Sequence, residues 1–366
     1  MLSRRRLVIG SAAGVLAGLL GAPDPARTTA RAASEWPILR PRRRTVTVLG
    51  QVLDEGAAIA GLRSIVLVRA GALLAERYYA DAHADTLQPL NSITKSVTSV
   101  LVGQALQRGR LPSLCTPVRQ LLPRAAAQPQ AAAAQLRLEQ LLNARSGLRY
   151  DYLGQYDALM ASSDPIAMAL EQAADPAAAG QWRYNDPVIG LLSPILAHAQ
   201  GLDLEALARR DLFAPLGISQ WQWARDALGQ PMSYAGLSLR PRDLAKLVWM
   251  MANGGRWQHV QVVPAAWVAA STRAYGTAQW TIAPLRNIGY GYLWFNGCLD
   301  QQRAVWGWGY GGQFALWLPH RRLAVVSSAT SPEAALALPQ AEAIMHLLVR
   351  LLRQAPRHGR FPNDCR

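Results

Sequence analysis

The pattern of apolar and polar positions predicts strands toward both ends of the chain. Residues 64–69 form a short apolar run rich in β-branched side chains, which is typical of a buried strand. Ala70-Gly71 supplies a turn into a second strand over 73–79, so the two strands are expected to form a hairpin. Strand patterns return near the C-terminus, at 290–296, 303–308, 312–318 and 323–329.

Helical spacing fills most of the remaining chain. Within 92–107, apolar positions recur on one side of a predicted helix, at Val97, Val100, Leu101, Ala105 and Leu106. Other helices are predicted over 45–59, 243–253 and 332–354. Patterns from 111 to 234 are mostly helical, and the low-complexity stretch 125–135 is expected at the surface. The sequence therefore predicts an α/β (α+β) fold, with strands in about 45–110 and 235–366 and a mostly helical insertion over about 111–234.

The first 32 residues resemble an export signal. Ser3-Arg4-Arg5-Arg6 precedes an apolar run from Leu7 to about Pro23, and Ala30-Arg31-Ala32 provides a small-x-small cleavage site. Paired arginines before a mildly apolar run favour the twin-arginine route, with cleavage near Ala32 and a periplasmic or secreted product. An uncleaved anchor is the alternative, although the run is shorter than the roughly 20 residues of a comfortable span. We expect no other segment to cross a membrane, and residues 33–366 to form a single domain.

Composition indicates a folded protein and disfavours nucleic-acid binding. Apolar residues make up 51% of the 366 positions and charged residues 17%, so the chain can bury a sizeable core. The formal charge is +15, but the arginines are scattered and form no basic stripe with interleaved aromatics. Lys95 and Lys246 are the only lysines among the 38 basic residues.

Three cysteines match no metal or redox motif. In an oxidising compartment one pair could close and the third would stay free. The sequence leaves the pairing open, although Cys298 with Cys365 would tie down the C-terminus. Cys115 would then remain a thiol.

Ser92-Ile93-Thr94-Lys95 opens the predicted helix over 92–107 and is the first candidate for catalytic chemistry. Positions i and i+3 of a helix face the same way, so the Ser92 hydroxyl and the Lys95 amine can meet. A serine is a poor nucleophile until a base takes its proton, and a desolvated lysine can be that base. Arginine cannot, which gives a reason for a lysine to survive in an arginine-rich chain. The alternative is a helix-capping serine beside a solvated lysine.

Two aromatic and glycine-rich segments are the other candidates. Tyr184, in 181–186, would be a phenolate-like base beside a cationic lysine, or else a packed aromatic. Glycines in 307–313 interrupt a strand pattern, which permits close backbone approach by a ligand, or else marks a tight turn.

Together these segments resemble the β-lactamase-related serine hydrolases. This family includes class C β-lactamases, D-alanyl carboxypeptidases, lactamase-fold esterases and 6-aminohexanoate-dimer hydrolases, and it is typified by Ser-x-x-Lys. Residues 141–148 resemble the family's Leu-Leu-x-x-x-Ser-Gly-Leu, and residues 236–255 resemble the segment before its last strands. Gly-Tyr-Gly-Gly-Gln at 309–313 is similar to the 6-aminohexanoate-dimer hydrolase and esterase branch. The resemblance spans about 60–350 and implies an antiparallel sheet flanked by helices.

The resemblance also implies residue roles. Ser92 would be the nucleophile, Lys95 its activating partner and Tyr184 a general acid/base, while the backbone N–H groups of Ser92 and Tyr310 would form the oxyanion hole. No metal or organic cofactor is implied. The aromatic residues Trp182, Trp306, Trp308 and Tyr310 would wall an apolar acyl or alcohol pocket, unless they belong to the core. The candidate substrate contacts are Trp182, Asp186, Trp308, Gly309 and Gln313.

Two departures from the family pattern affect the expected substrate. Asp186 stands where the lactamases carry the Asn of Tyr-x-Asn, and Gly307 replaces the Lys of Lys-Thr-Gly, which holds a substrate carboxylate. We therefore expect an exported serine hydrolase that cleaves small-molecule esters or short amides. The alternatives are a D-alanyl carboxypeptidase, a β-lactamase, or a catalytically weak penicillin-recognising binding protein.

Overall fold

The two ends of the chain meet in one antiparallel sheet. A computed structural model describes residues 36–39, 43–356 and 365. In chain order the strands are β1 Leu62–Arg69, β2 Ala72–Tyr78, β3 Gln88–Pro89, β4 Trp221–Trp223, β5 Leu237–Leu239, β6 Arg256–Trp257, β7 Val260–Gln261, β8 Gly276–Thr277, β9 Arg286–Tyr290, β10 Phe295–Leu299, β11 Gln302–Gly309, β12 Gln313–Leu318 and β13 Leu323–Ala329. The main sheet has the order β2-β1-β13-β12-β11-β10-β9-β8, so the first hairpin pairs with the last strand.

Helices cover the sheet because its central strands are buried at every position, as in β12 and β13. The helix Ile93–Gln107 packs against β11 and β12, and Pro241–Ala252 packs against β1, β12 and β13. The first and last described helices pack on each other. The helices are Arg43–Glu55, Ile93–Gln107, Val118–Leu121, Pro123–Ala126, Ala132–Gln135, Leu138–Leu142, Tyr152–Met160, Pro165–Leu170, Asp186–Gly190, Leu192–Gln200, Leu204–Ala208, Pro241–Ala252, Ala265–Ser271 and Ala334–Gln354.

The predicted architecture is confirmed, with one strand misplaced. The hairpin, the last three strands and the long helices match their predicted places within a few residues, and the insertion is mostly helical. The predicted strand over 290–296 is wrong, because residues 291–294 turn between β9 and β10. Gly291 approaches Ser271 O too closely for any side chain, and Leu293 has a φ of 63°. A positive φ lies outside the β region, so the extended chain cannot continue through Leu293.

The helix Ile93–Gln107 is buried on all sides, whereas its spacing predicted one apolar side. Its small hydroxyl side chains find carbonyl partners from neighbouring segments. Ser96 Oγ donates to Leu293 O at 2.8 Å, and Thr98 Oγ1 donates to Ser233 O at 2.8 Å. Burying a hydroxyl group costs little free energy when the group is hydrogen-bonded. A helix with polar positions can therefore occupy the centre of the fold.

Two further differences come from short elements. In 125–135, Ala125, Ala133 and Ala134 are buried, because short helices pack closely through alanine side chains; the surface prediction is wrong for these three. The small sheets β3-β5-β4 and β6-β7 were not predicted. Strands of two or three residues are too short to show alternation.

A disulfide joins Cys298 in β10 to Cys365, and Cys115 is exposed and free. This confirms the pairing that would tie down the C-terminus. The described residues, which begin at Trp36, form one compact unit. The predicted export signal over 1–32 lies outside the described residues.

The helix Ala334–Gln354 is long and apolar enough to span a membrane by length and composition alone. The expectation that no segment after residue 32 meets these criteria was therefore wrong. One face of this helix is nevertheless buried in the core, through side chains such as Ile344, Leu348 and Leu352.

Candidate active site

The predicted nucleophile lies where a strand segment turns into a helix. Leu90 donates its backbone N–H to Leu237 O in β5 at 2.8 Å, which anchors the segment before Ser92. Asn91 then has a φ of 48°, a left-handed conformation that asparagine adopts more readily than most residues. This turn brings Ser92 to the N-cap of the helix Ile93–Gln107, where the helix dipole is positive.

Asn91 and Gly309 join this turn to the hairpin after β11. The Asn91 side chain donates from Nδ2 to Tyr310 O at 2.9 Å. A Cβ at Gly309 would collide with Leu90 O, so only glycine lets β11 approach the turn. The sequence predicted room for a ligand here, but the chain's own backbone fills it. Ser92 and Tyr310 are thereby held in fixed positions on one cavity.

Lys95 is buried, and its amine nitrogen has three acceptors. Nζ lies 2.9 Å from Ser92 Oγ, 2.7 Å from Tyr234 O and 2.8 Å from Asp186 Oδ1. The i, i+3 spacing thus brings Ser92 and Lys95 together as predicted. The contacts with Ser92 and Tyr234 are hydrogen bonds, whereas the contact with Asp186 is an ion pair without hydrogen-bond geometry.

Burial changes the proton affinity of both members of the Lys95–Asp186 pair. Loss of water lowers the pKa of Lys95, and the charge of Asp186 opposes that shift. Burial raises the pKa of Asp186, and Lys95 opposes it in the same way. Asp186 Oδ2 has no hydrogen-bond partner among the described residues, which also disfavours the charged carboxylate. Burial therefore favours the uncharged form of each partner.

Tyr184 packs beside both residues. Its ring centre is 4.7 Å from Lys95 Nζ, within the range of attraction between a cation and an aromatic face. Burial, followed by the charge of Asp186, raises the pKa of Tyr184 well above its ordinary value, whereas a side-chain hydrogen bond with Ser92 acts in the opposite direction. Tyr184 is therefore a protonated phenol near neutral pH, and its role as a base stays a prediction.

The segment Leu-Leu-x-x-x-Ser-Gly-Leu holds the loop that carries Tyr184. Arg183 donates its backbone N–H to Ala144 O at 2.8 Å. Arg145 Nε donates to Gly180 O at 2.6 Å. These bonds fix the loop on both sides of Trp182 and so position the aromatic residues at the cavity.

Ser92 opens on a cavity of about 800 Å³, a size typical of sites for small organic molecules. Four other predicted site residues line it: Trp182, Tyr184, Trp308 and Tyr310. Lys95 lies behind Ser92 and does not line the cavity. The structure thus gathers the predicted reactive groups at one place.

Three predicted substrate contacts lie away from the cavity lining. Asp186 is buried against Lys95, and Gly309 faces the nucleophile turn. Gln313 is fully buried at the start of β12, opposite Gly309. Protein atoms rather than open space surround all three: Asp186 lies against Lys95 of Ile93–Gln107, and Gly309 and Gln313 face each other in the main sheet. Trp306 is also core, stacked on Phe295 at 5.8 Å.

Aromatic and apolar residues outside the predicted motifs complete the cavity. The ring centre of Trp280 lies 4.4 Å from that of Tyr184, 5.4 Å from that of Trp182 and 5.6 Å from that of Tyr152. Trp280 belongs to a segment without helical or strand periodicity, so the sequence carried no signal for it. The C-terminal helix adds Ala334, Ala337, Leu338 and Ala341, whose i, i+3, i+4, i+7 spacing could have indicated a shared face.

Metal ligands are not assembled in the described part of the chain. Within residues 36–39, 43–356 and 365, no group of three or more His, Cys, Asp or Glu side chains could hold a metal ion. The polar groups around Ser92 are an amine, a carboxyl group and a phenol. These groups can move protons and stabilise charge.

Comparison with known proteins identifies the family and the fold. The sequence model of the family described as Beta-lactamase matches residues 49–348. A search of curated protein sequences found no match. The fold is similar to that of a protein described as a 6-aminohexanoate-dimer hydrolase from Bacillus anthracis, with 17% identity, a TM-score of 0.70, and coverage of 88% of this chain and 89% of that one.

Two further solved structures share the fold. A class C β-lactamase from Rhodobacter sphaeroides has 19% identity and a TM-score of 0.59, over 84% of this chain and 100% of that one. An octameric penicillin-binding protein homologue from Pyrococcus abyssi has 19% identity and a TM-score of 0.61, over 83% of this chain and 77% of that one. At these identities the likeness establishes the fold.

Proposed function

The chain belongs to the β-lactamase family and is a serine hydrolase, and from that premise we propose that it cleaves esters or short amides through an acyl-enzyme on Ser92. The observation that carries the proposal is the buried contact of Lys95 with Ser92 and Asp186, directly behind the cavity. It supplies both a nucleophile and a base whose pKa is lowered.

Acylation requires a neutral Lys95, the form that its burial favours and that the charge of Asp186 opposes. Ser92 Oγ attacks the substrate carbonyl and its proton passes to Lys95, which becomes an ammonium. The new positive charge lies close to the negative charge that develops on the carbonyl oxygen. The N–H groups of Ser92 and Tyr310 stabilise that oxyanion, each contributing roughly 3 kcal/mol in such sites.

Tyr184 completes the transfer as a neutral phenol. It gives its proton to the leaving group as that bond breaks, and Lys95, whose Nζ lies 4.7 Å from the ring centre, returns to the phenolate the proton that it took from Ser92. Water then attacks the acyl-enzyme, its proton returns through the same groups, and the acid is released. A phenol with a raised pKa can thus pass a proton from the amine of Lys95 to the leaving group.

The charges around the cavity favour an uncharged substrate. Of the described lining residues only Asp151 and Arg183 carry a charge, and Arg183 pairs with Asp175 at 3.0 Å. Gly307 provides no cation, and a Cβ there would approach Ser96 Oγ at 3.0 Å. A substrate carboxylate would find no dedicated partner, which favours esters and short amides over D-Ala peptides or β-lactams.

We also propose that the protein is exported by the twin-arginine route and that residues 33–366 form the mature domain. Arg4-Arg5 before an apolar run supports this proposal. The Cys298–Cys365 disulfide supports it too, because disulfides persist in oxidising compartments.

Purified protein should hydrolyse short-chain nitrophenyl esters at least about 1,000-fold faster per active site than nitrocefin, because a lost charge-assisted contact is costly. The panel should include a D-Ala peptide and the 6-aminohexanoate dimer. Ser92→Ala should abolish both turnover and labelling by a fluorophosphonate. Equal rates on nitrocefin and ester would reject the substrate assignment, and acylation without turnover would favour a binding protein.

Lys95→Arg should lower ester kcat/KM by roughly 100-fold or more, since a guanidinium keeps its proton near neutral pH. The matched control is Lys246→Arg, because Lys246 is also buried and paired with an aspartate, Asp243, at 3.0 Å. The control should keep most of its activity, and circular dichroism should verify both folds. A folded Lys95→Arg variant with more than about a tenth of the parental rate would refute the proton-acceptor role.

Asp186→Asn should move the acid limb of the kcat/KM profile to lower pH by about one unit or more. The charge of Asp186 raises the pKa of Lys95, so its loss leaves Lys95 neutral at lower pH. The exposed Asp157→Asn makes the same change in net charge and should leave the limb in place. An acid limb that stays fixed or moves to higher pH in Asp186→Asn would contradict the proposed coupling.

Replacing Arg4 and Arg5 with Lys should leave the protein in the cytoplasm, because a twin-arginine receptor reads that pair. Cell fractionation and immunoblotting would measure the distribution. Unchanged delivery of the double variant to the periplasm would contradict export by the twin-arginine route.

A further inference from the structure

Two large apolar side chains on the cavity lining remain in water. Leu153 is 75% exposed and Leu338 is 49% exposed, and both line the cavity that contains Ser92. Single exposed leucines are ordinary on protein surfaces. Here, however, two helices, Tyr152–Met160 and Ala334–Gln354, each contribute one to the same cavity.

The wall from the C-terminal helix runs from the interior to the surface. Ala341 is buried, while Leu338 and Ala334 are exposed. These residues share one helix face, because they are three or four positions apart. Small alanine side chains leave space beside the helix, and Leu338 adds apolar surface where the cavity opens.

The other helix continues an apolar path that starts at the proposed catalytic residues. The ring centre of Tyr152 lies 5.3 Å from that of Tyr184 and 5.6 Å from that of Trp280. Leu153 follows Tyr152 on the lining. Aromatic and aliphatic contact is therefore available from the neighbourhood of Ser92 out to the solvent.

The two charged lining residues already have partners nearby. Asp151 Oδ1 accepts from Leu153 N at 3.2 Å as a helix cap, and Arg183 pairs with Asp175. Neither side chain is directed to pairing with a charged group of the substrate. The path offers apolar contact instead.

We propose that the substrate carries an extended apolar chain, on its acyl or its alcohol side, that leaves the cavity over Leu153 and Leu338. The inference rests on the proposed ester or amide hydrolysis at Ser92 and names the class of substrate for it. The two leucines bury apolar surface against the chain of a single bound molecule and so determine chain-length specificity.

The test compares short and long esters on Leu153→Ser and Leu338→Ser. With nitrophenyl octanoate, kept below its micelle concentration, kcat/KM should fall about fivefold to tenfold in each variant, because apolar contact is lost. With nitrophenyl acetate it should stay within about twofold of the parent. Leu228→Ser is the matched control, since Leu228 is 40% exposed and is not on the cavity lining. It should hydrolyse both esters as the parent does.

A second series fixes which side of the ester holds the chain. Ethyl and octyl acetate, followed by proton release, vary the alcohol while the acyl group stays constant. Selective loss on octanoate assigns the path to the acyl chain, and selective loss on octyl acetate assigns it to the alcohol.

Unchanged long-chain rates in both series would overturn the proposal while leaving ester hydrolysis by the parent intact. Equal loss on acetate and octanoate would also overturn it, as would a loss confined to substrate presented in phosphatidylcholine vesicles, which would indicate a lipid-surface contact. A parent that hydrolyses no ester would instead be a failure of the proposed function.

Discussion

A buried lysine amine is the constraint on which the site depends. Lys95 Nζ needs acceptors because it has left water, and it takes them from three separate segments: the helix start at Ser92, the loop at Tyr234 and the helix start at Asp186. Satisfying this one nitrogen fixes how those segments meet. The same contact places the proposed base behind the proposed nucleophile.

Close approach of the main sheet to the nucleophile turn is the second constraint. Gly309 lets β11 contact the backbone at Leu90, and Asn91, with its left-handed backbone, bonds to the carbonyl of Tyr310. The proposed oxyanion hole therefore joins residues more than 200 positions apart. It depends on the contact between the nucleophile turn and the end of β11.

The two lysines show why residue choice alone does not identify a catalytic group. Both survive in an arginine-rich chain, both are buried, and each pairs with an aspartate. Lys246 also donates to a backbone carbonyl, Gly217 O, at 3.3 Å. Lys95 differs through the serine hydroxyl beside it and the cavity in front of that hydroxyl.

Local patterns were enough to predict most of the long elements and the contact between Ser92 and Lys95. Apolar β-branched runs indicated the strands at both ends, and helical spacing indicated the long helices. The i, i+3 geometry brought Ser92 to Lys95. All of these features depend on neighbours in the chain. Only the tertiary structure decided that Asp186 belongs to Lys95 rather than to the substrate and that Gln313 is core. It alone added Trp280 and the C-terminal helix to the cavity. Those contacts join distant segments, and no periodicity along the chain records which distant side chains will share a space.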